Sequence, residues 1–174
     1  NVLRAILVET ASGAASQAVN DWQTDTIAVL ETNLDDISAE VLGYFVEKAR
    51  AAGALDVFHT PIQMKKNRPG VLLTVMCGSA DADKFTELML RETSAFGVRR
   101  SISERRKLQR GFATVKTPYG DVTVKLGKLN GKIVQAAPEF ESCRAAAEKS
   151  GVTLKLVYET AQQAFNSSPS GRPN

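Results

Sequence analysis

Histidine occurs once in this 174-residue chain, at position 59, and cysteine twice, at 77 and 143. One imidazole and two distant thiols cannot build a multi-histidine or closely spaced Cys/His metal centre within a single chain. The sequence has no Walker phosphate loop and no dinucleotide glycine fingerprint, which closes two common routes to nucleotide binding. No serine or cysteine triad can be assembled around the lone His59. No apolar run reaches the roughly 18 residues that crossing a bilayer requires. The opening Val2–Val8 stretch is broken by Arg4 and is too short for a secretory core. Without an export signal, Cys77 and Cys143 are expected to be reduced, buried thiols in a cytoplasmic protein. Aromatic residues make up 6% of the chain and are not interleaved with its basic residues, which argues against a base-stacking nucleic-acid surface. A net charge of +3 is too slight to point to a polyanion, so local clustering of charge carries more information.

What is present is the composition of a globular protein, 43% apolar and 24% charged, with a length that suits one or two domains. Its organising stretch is Phe58–Gly70: a strand, a turn holding Lys65, Lys66, Asn67 and Arg68, and a second strand from Val71 to Met76. Pro61 donates nothing to a ladder, so the first strand belongs at a sheet edge. A basic tip of this kind either keeps an edge soluble or grips a polyanion, with lysines as point charges and Arg68 as a planar fork.

Residues 1–25 read as a linker and the remnant of an upstream domain. Ile27–Asp35 then alternates as a strand, with Glu31, Asn33 and Asp35 on one face and Asp36 at the exit. Asp36 or Ser38 caps the helix expected over Ala39–Ala52, and Gly53 ends it. A second helix is expected over Asp81–Thr93, and a strand from Val98 to Ser103. Strand, helix, strand, strand, helix, strand is the split βαβ, ferredoxin-like α+β pattern, assigned to residues 26–104. Arg99, Arg100, Arg105, Arg106, Lys107 and Arg110 follow, with Glu104 as the one acid among them. Residues 105–166 read as a short antiparallel meander and two helices. Asn130-Gly131 marks a hairpin, Pro138 is placed in the first turn of the third helix, and Gly151 ends that helix. The fourth helix spans Thr153–Phe165, and residues 167–174 form a disordered tail.

The chemistry these residues offer is anion binding. Cations on turns, together with the carboxylates Asp35, Asp36 and Glu31, are the parts that hold a triphosphate with a divalent cation. His59 is open to two readings, a half-buried edge residue or a general base.

Longer stretches add to this. Glu31–Asp36, Gly53–Val57, Thr60–Gly70, Phe96–Arg99, Lys116–Gly120 and Pro138–Arg144 resemble the C-terminal part of the LarC family, the nickel insertion proteins of lactate racemase cofactor assembly. The similarity covers roughly residues 26–160. It implies a CTP-dependent nickel insertase of the lyase class, which places Ni²⁺ in a pyridinium bis-thiocarboxylate mononucleotide to form the nickel-pincer nucleotide. It further implies CTP as co-substrate, Mn²⁺ or Mg²⁺, a homo-oligomer, and an N-terminal domain absent from this chain. Carried onto this sequence, the nucleotide contacts are Lys65, Lys66, Asn67, Arg68, Arg99 and Arg100, the metal ligands are Asp35, Asp36 and Glu31, and His59 is the candidate base. The rival reading is a ferredoxin-like oligomerisation or RNA-binding module without catalysis of its own.

Overall fold

The computed structural model describes residues 20–168. The expected linker up to residue 19 and the tail from residue 169 lie outside the described residues. The chain divides into two compact units, one of residues 23–107 and the other of residues 20–22 together with 108–168.

The first unit opens with β1 (Gln23–Leu34), followed by α1 (Ala39–Ala51), β2 (Asp56–Met64), β3 (Arg68–Gly78), α2 (Ala82–Glu92) and β4 (Arg99–Lys107). The sheet order is β2-β3-β1-β4 with every neighbouring pair antiparallel. This is the expected ferredoxin-like arrangement, and β1 runs through its middle. Alternation along β1 sends Ala28, Leu30, Thr32 and Leu34 to one face, where they are buried. Phe45 and Ala49 of α1 and Phe85 and Met89 of α2 meet them there, with no exposed surface. Each of the two phenylalanines contributes about 1.5–3 kcal/mol by leaving water. Both helices therefore cover one face of this sheet, and the other face carries no helix of the unit.

The helix ends follow from local chemistry. Ser38 Oγ accepts a hydrogen bond from the Val41 amide at 3.3 Å, so Ser38 is the cap of α1 and the expectation for Asp36 is not met. Asp36 stays exposed beyond the end of β1. Gly53, with φ 94°, makes the left-handed step that turns the chain out of α1. Lys48 of α1 meets Glu92 of α2 at 2.8 Å, and Lys84 Nζ donates to the Ala52 carbonyl at 2.6 Å. These contacts tie the two helices together across the sheet.

The second unit comprises β5 (Gln109–Thr117), β6 (Gly120–Leu129), β7 (Lys132–Pro138), α3 (Phe140–Ser150) and α4 (Leu154–Ser167). The strands form an antiparallel meander in the order β5-β6-β7. Val122, Val124 and Leu126 of β6 pack under Cys143, Val157, Ala161 and Phe165. Asn130 (φ 52°) and Gly131 (φ 74°) form the tight hairpin that their sequence predicts. Thr153 caps α4 by accepting from the Leu156 amide. Pro138 does not open α3. It is the last residue of β7, paired with Val124, and on this edge strand its missing N–H costs no ladder bond. Both cysteines are free and buried, and burial pushes both thiols up from their ordinary values.

Candidate anion-binding site

The exit of β1, the tip of the β2–β3 hairpin and the start of β4 all lie at one end of the four-stranded sheet. Register makes this so: Leu34 pairs with Val71, Met64 with Arg68, and Glu31 with both Arg99 and Thr74. Residues directly opposite one another share a face. Glu31, Asn33, Arg68 and Arg99 therefore lie together on the face that carries no helix. Asp35, one step past the end of β1, joins them by accepting from Arg68 Nη1 at 3.2 Å. Arg99 Nη2 donates to Asn33 Oδ1 at 2.6 Å.

The hairpin tip is a three-residue turn, Lys65–Asn67, exposed throughout. Lys66 (φ 58°, ψ 26°) and Asn67 (φ 60°) are both left-handed. Asparagine tolerates that region because its short amide bonds locally, and here Gln63 Nε2 donates to Asn67 Oδ1 at 3.3 Å. Lysine gains nothing comparable. Holding lysine there costs about 1–2 kcal/mol. Gly70 sets how closely the hairpin seats on β1. A Cβ at this position would lie 2.6 Å from the Leu34 carbonyl oxygen and 2.7 Å from Met64 Sδ.

Not every sequence candidate comes to this place. Arg99 and Arg100 are adjacent on β4 and so point to opposite faces. Arg100 pairs with Leu30 on the helix-bearing side, and its Nη1 contacts Asp83 of α2 at 3.3 Å. His59 sits mid-strand on β2 opposite Leu73, also toward the helix-bearing side, and is exposed. Asp36 is exposed beside Asp35. Among the described residues no group of three or more His, Cys, Asp or Glu side chains could hold a metal ion by itself. At most two carboxylates beside exposed cations do not make a dedicated protein cage for a metal.

One ionic cluster was hidden from the sequence. Asp25, near the start of β1, accepts from Arg105 Nε (3.0 Å) and Nη2 (2.7 Å) and from Lys107 Nζ (2.6 Å). The Arg105 bonds first, and then that of Lys107, hold the Asp25 carboxyl well below the usual carboxylate range. Two of the cations after Ser103 are thus engaged within the sheet, at the end away from the hairpin tip. Nothing local in sequence signals a partner eighty residues upstream.

Comparison with known proteins gives a consistent result. The family model described as nickel insertion protein matches residues 1–158. A pyridinium-3,5-bisthiocarboxylic acid mononucleotide nickel insertion protein of Geobacillus kaustophilus is 40% identical over 94% of this chain, which spans 40% of that protein. A protein of the same description from Lactiplantibacillus plantarum is 42% identical over 92% of the chain, which spans 38% of it. The chain therefore covers less than half the length of these relatives. Among solved structures, LarC2, the C-terminal domain of a cyclometallase involved in synthesis of the NPN cofactor of lactate racemase, superposes with a TM-score of 0.78 at 42% identity. The match covers 83% of this chain and 99% of that one. A protein from Methanopyrus kandleri gives a TM-score of 0.61 at 27% identity, over 81% of this chain and 89% of that one.

Proposed function

Because the chain belongs to the nickel insertion protein family, we propose that it is the nucleotide-binding, C-terminal part of a cytoplasmic enzyme that inserts Ni²⁺ into a pyridinium bis-thiocarboxylate mononucleotide. In that reaction a nickel–carbon bond forms as a ring carbon gives up its proton. The nucleotide is CTP, taken up with Mn²⁺ or Mg²⁺, and the working form is a homo-oligomer completed by an N-terminal domain. The observation that carries the reading is the Arg68–Asp35 pair at the mouth of β1, with Lys65 and Lys66 on the adjoining turn and Arg99 bonded to Asn33 on the same face.

Lys65, Lys66, Arg68 and Arg99 hold the phosphate oxygens, and Asn67 supplies an adaptable amide at the turn. A divalent cation bound with the nucleotide would neutralise charge between phosphate oxygens, with Asp35 and Asp36 as its protein ligands and Glu31 behind them. In the free protein Arg68 and Asp35 neutralise each other, so cation and polyphosphate entering together can part them at little electrostatic cost. Arg68 would then be available to phosphate and Asp35 to the metal. Arg100 is left out of this set, because it lies on the other face with Asp83.

An RNA-binding reading has less support. The helix-free face of the ferredoxin-like unit carries one aromatic residue, Phe58, and its neighbours across β3 and along β2 are Thr74 and Thr60 rather than cations. Calorimetric titration with CTP, ATP and a short RNA, each with and without Mn²⁺, tests the proposal. Saturable, metal-dependent binding that prefers CTP is expected. Salt-sensitive RNA binding with no response to nucleotide would overturn it.

A further inference from the structure

We infer that the outer face of the β5–β6–β7 meander, around Phe112, seats the pyridinium ring of the mononucleotide substrate. The inference rests on the substrate named in the reading above and gives it a site apart from the phosphate grip. Alternation along β5 and β6 separates two faces. Val115, Val122, Val124 and Leu126 are buried against α3 and α4. Arg110, Phe112, Thr114, Thr123 and Lys125 occupy the opposite face. Phe112 keeps 66% of its surface exposed there. A phenylalanine left in water forgoes the stabilisation that burial brings, so its outward position calls for a reason.

Register fixes what surrounds the ring. Phe112 and Lys125 are Cα partners across β5 and β6, so their side chains stand directly opposite, with Cβ atoms about 4.5–5.5 Å apart. Arg110 lies two residues earlier on β5, roughly 7 Å along the strand, and faces the same way. Opposite Arg110 is Gly127, and a Cβ there would lie 2.6 Å from Leu108 Cδ1, so Leu108 fills that place on the same face. Among the described residues no acid pairs with Arg110. Lys125 has Glu139 Oε1 at 3.7 Å, beyond hydrogen-bond length. An exposed ring thus stands beside two cations, one unpaired and one loosely held. Strand pairing assembles them, since Phe112 and Lys125 are distant along the chain.

That set matches one kind of ligand. Phe112 is the only aromatic residue in the three strands, so the face offers a single platform. Single-stranded nucleic acid stacks successive bases on several rings, whereas one ring suits one heterocycle. The π face of phenylalanine attracts a planar cation, which favours a pyridinium over a neutral ring. Arg110 and Lys125 at its flanks pair with acid groups on that ring and with phosphate. A pyridinium bearing acid substituents and a ribose phosphate is cationic at its centre and anionic at its edges. This surface is its inverse, electron-rich at the centre and cationic at the edges.

The probe is nicotinic acid mononucleotide, a pyridinium carboxylate carrying a ribose phosphate. It is titrated into the whole chain with CTP and Mn²⁺ present to fill the phosphate grip. Phe112→Ala should weaken it about tenfold, Phe112→Tyr should keep its affinity, and Arg110→Gln should also weaken it. Ribose 5-phosphate, which lacks the ring, should bind more weakly and not respond to Phe112→Ala. Unchanged probe binding in Phe112→Ala, an equal loss with ribose 5-phosphate, or displacement of the probe by CTP would overturn the inference. So would tighter binding of a short RNA that falls in Phe112→Ala, which would give the face to nucleic acid. Loss of self-association in that variant with probe affinity intact would give it to a contact between copies, and would equally overturn the inference. If the wild-type chain binds CTP but not the probe, this inference fails and the nucleotide reading stands. If it binds the probe through Phe112 but not CTP, the nucleotide reading fails and the ring seat stands.

Discussion

Lys66 offers a perturbation in which stability and binding move in opposite directions. Its backbone is left-handed (φ 58°, ψ 26°), which costs an L-residue about 1–2 kcal/mol and glycine nothing. Glycine in turn loses about 0.5–1 kcal/mol through the greater freedom of the unfolded chain. Lys66→Gly should therefore be more stable than Lys66→Ala by up to about 1 kcal/mol, and at least as stable as wild type. For a chain of this size that is a rise in midpoint of about 2–4 °C. Both variants lose the ammonium, so both should bind CTP·Mn²⁺ more weakly, by about 1 kcal/mol for an exposed charge-assisted contact, or roughly fivefold. The assays are thermal or urea unfolding of the three proteins and titration of each with CTP at fixed salt. If Lys66→Gly melted below Lys66→Ala, the strain argument would be refuted. If it bound CTP as tightly as wild type, Lys66 would have no place in the grip.

Asp35→Asn should cost less than about 1 kcal/mol of stability, because its pair with Arg68 is solvent-exposed on the arginine side. The same change should abolish the increment that Mn²⁺ adds to CTP affinity while metal-free binding is kept or tightened; an undiminished Mn²⁺ increment would remove Asp35 from the metal set. The Asp25 carboxyl is held low by Arg105 and Lys107, so its contribution is complete above the ordinary carboxylate pKa of about 3.9 and fades as pH falls below it. Asp25→Asn should accordingly be less stable than wild type at neutral pH, with the gap narrowing below about pH 4; a gap that did not depend on pH would argue against an ionic origin. Gly70→Ala forces a methyl group against the Leu34 carbonyl, a backbone atom that cannot turn aside, and should cost about 1–3 kcal/mol in urea unfolding. A neutral result there would mean that the hairpin is free to lift away from β1.

The first unit was legible because its signals are local and agree with one another. Alternation in Ile27–Leu34, a capped amphipathic helix, a proline marking an edge strand and a Pro-Gly after the basic turn all belong to one βαββαβ reading. What was not legible depended on residues distant in sequence. Gln23, Thr24 and Asp25 look like linker by composition, and become strand only because β4 brings Arg106, Arg105 and Lys107 across from them. Arg99 and Arg100 looked like one basic pair, and the two-residue repeat of a strand separates them, one toward Asn33 and one toward Asp83. Pro138 fits a helix start as well as a strand end, and only its pairing with Val124 decides between them. The bond from the Thr32 hydroxyl to the Gly97 carbonyl joins residues 65 positions apart, which no local pattern encodes.

Gln23 and Lys107, the first and last residues of the ferredoxin-like unit, are Cα partners across β1 and β4. The polypeptide thus goes in and comes out at neighbouring points, about 4.5–5.5 Å apart as in any antiparallel pair. A module with its two ends side by side can be spliced into a host loop without stretching it, or cut out and closed with a few residues of glycine and serine. The piece that carries the Arg68–Asp35 pair is in that sense a plug-in, and the proposed phosphate grip is open to test on a fragment of 85 residues, Gln23–Lys107.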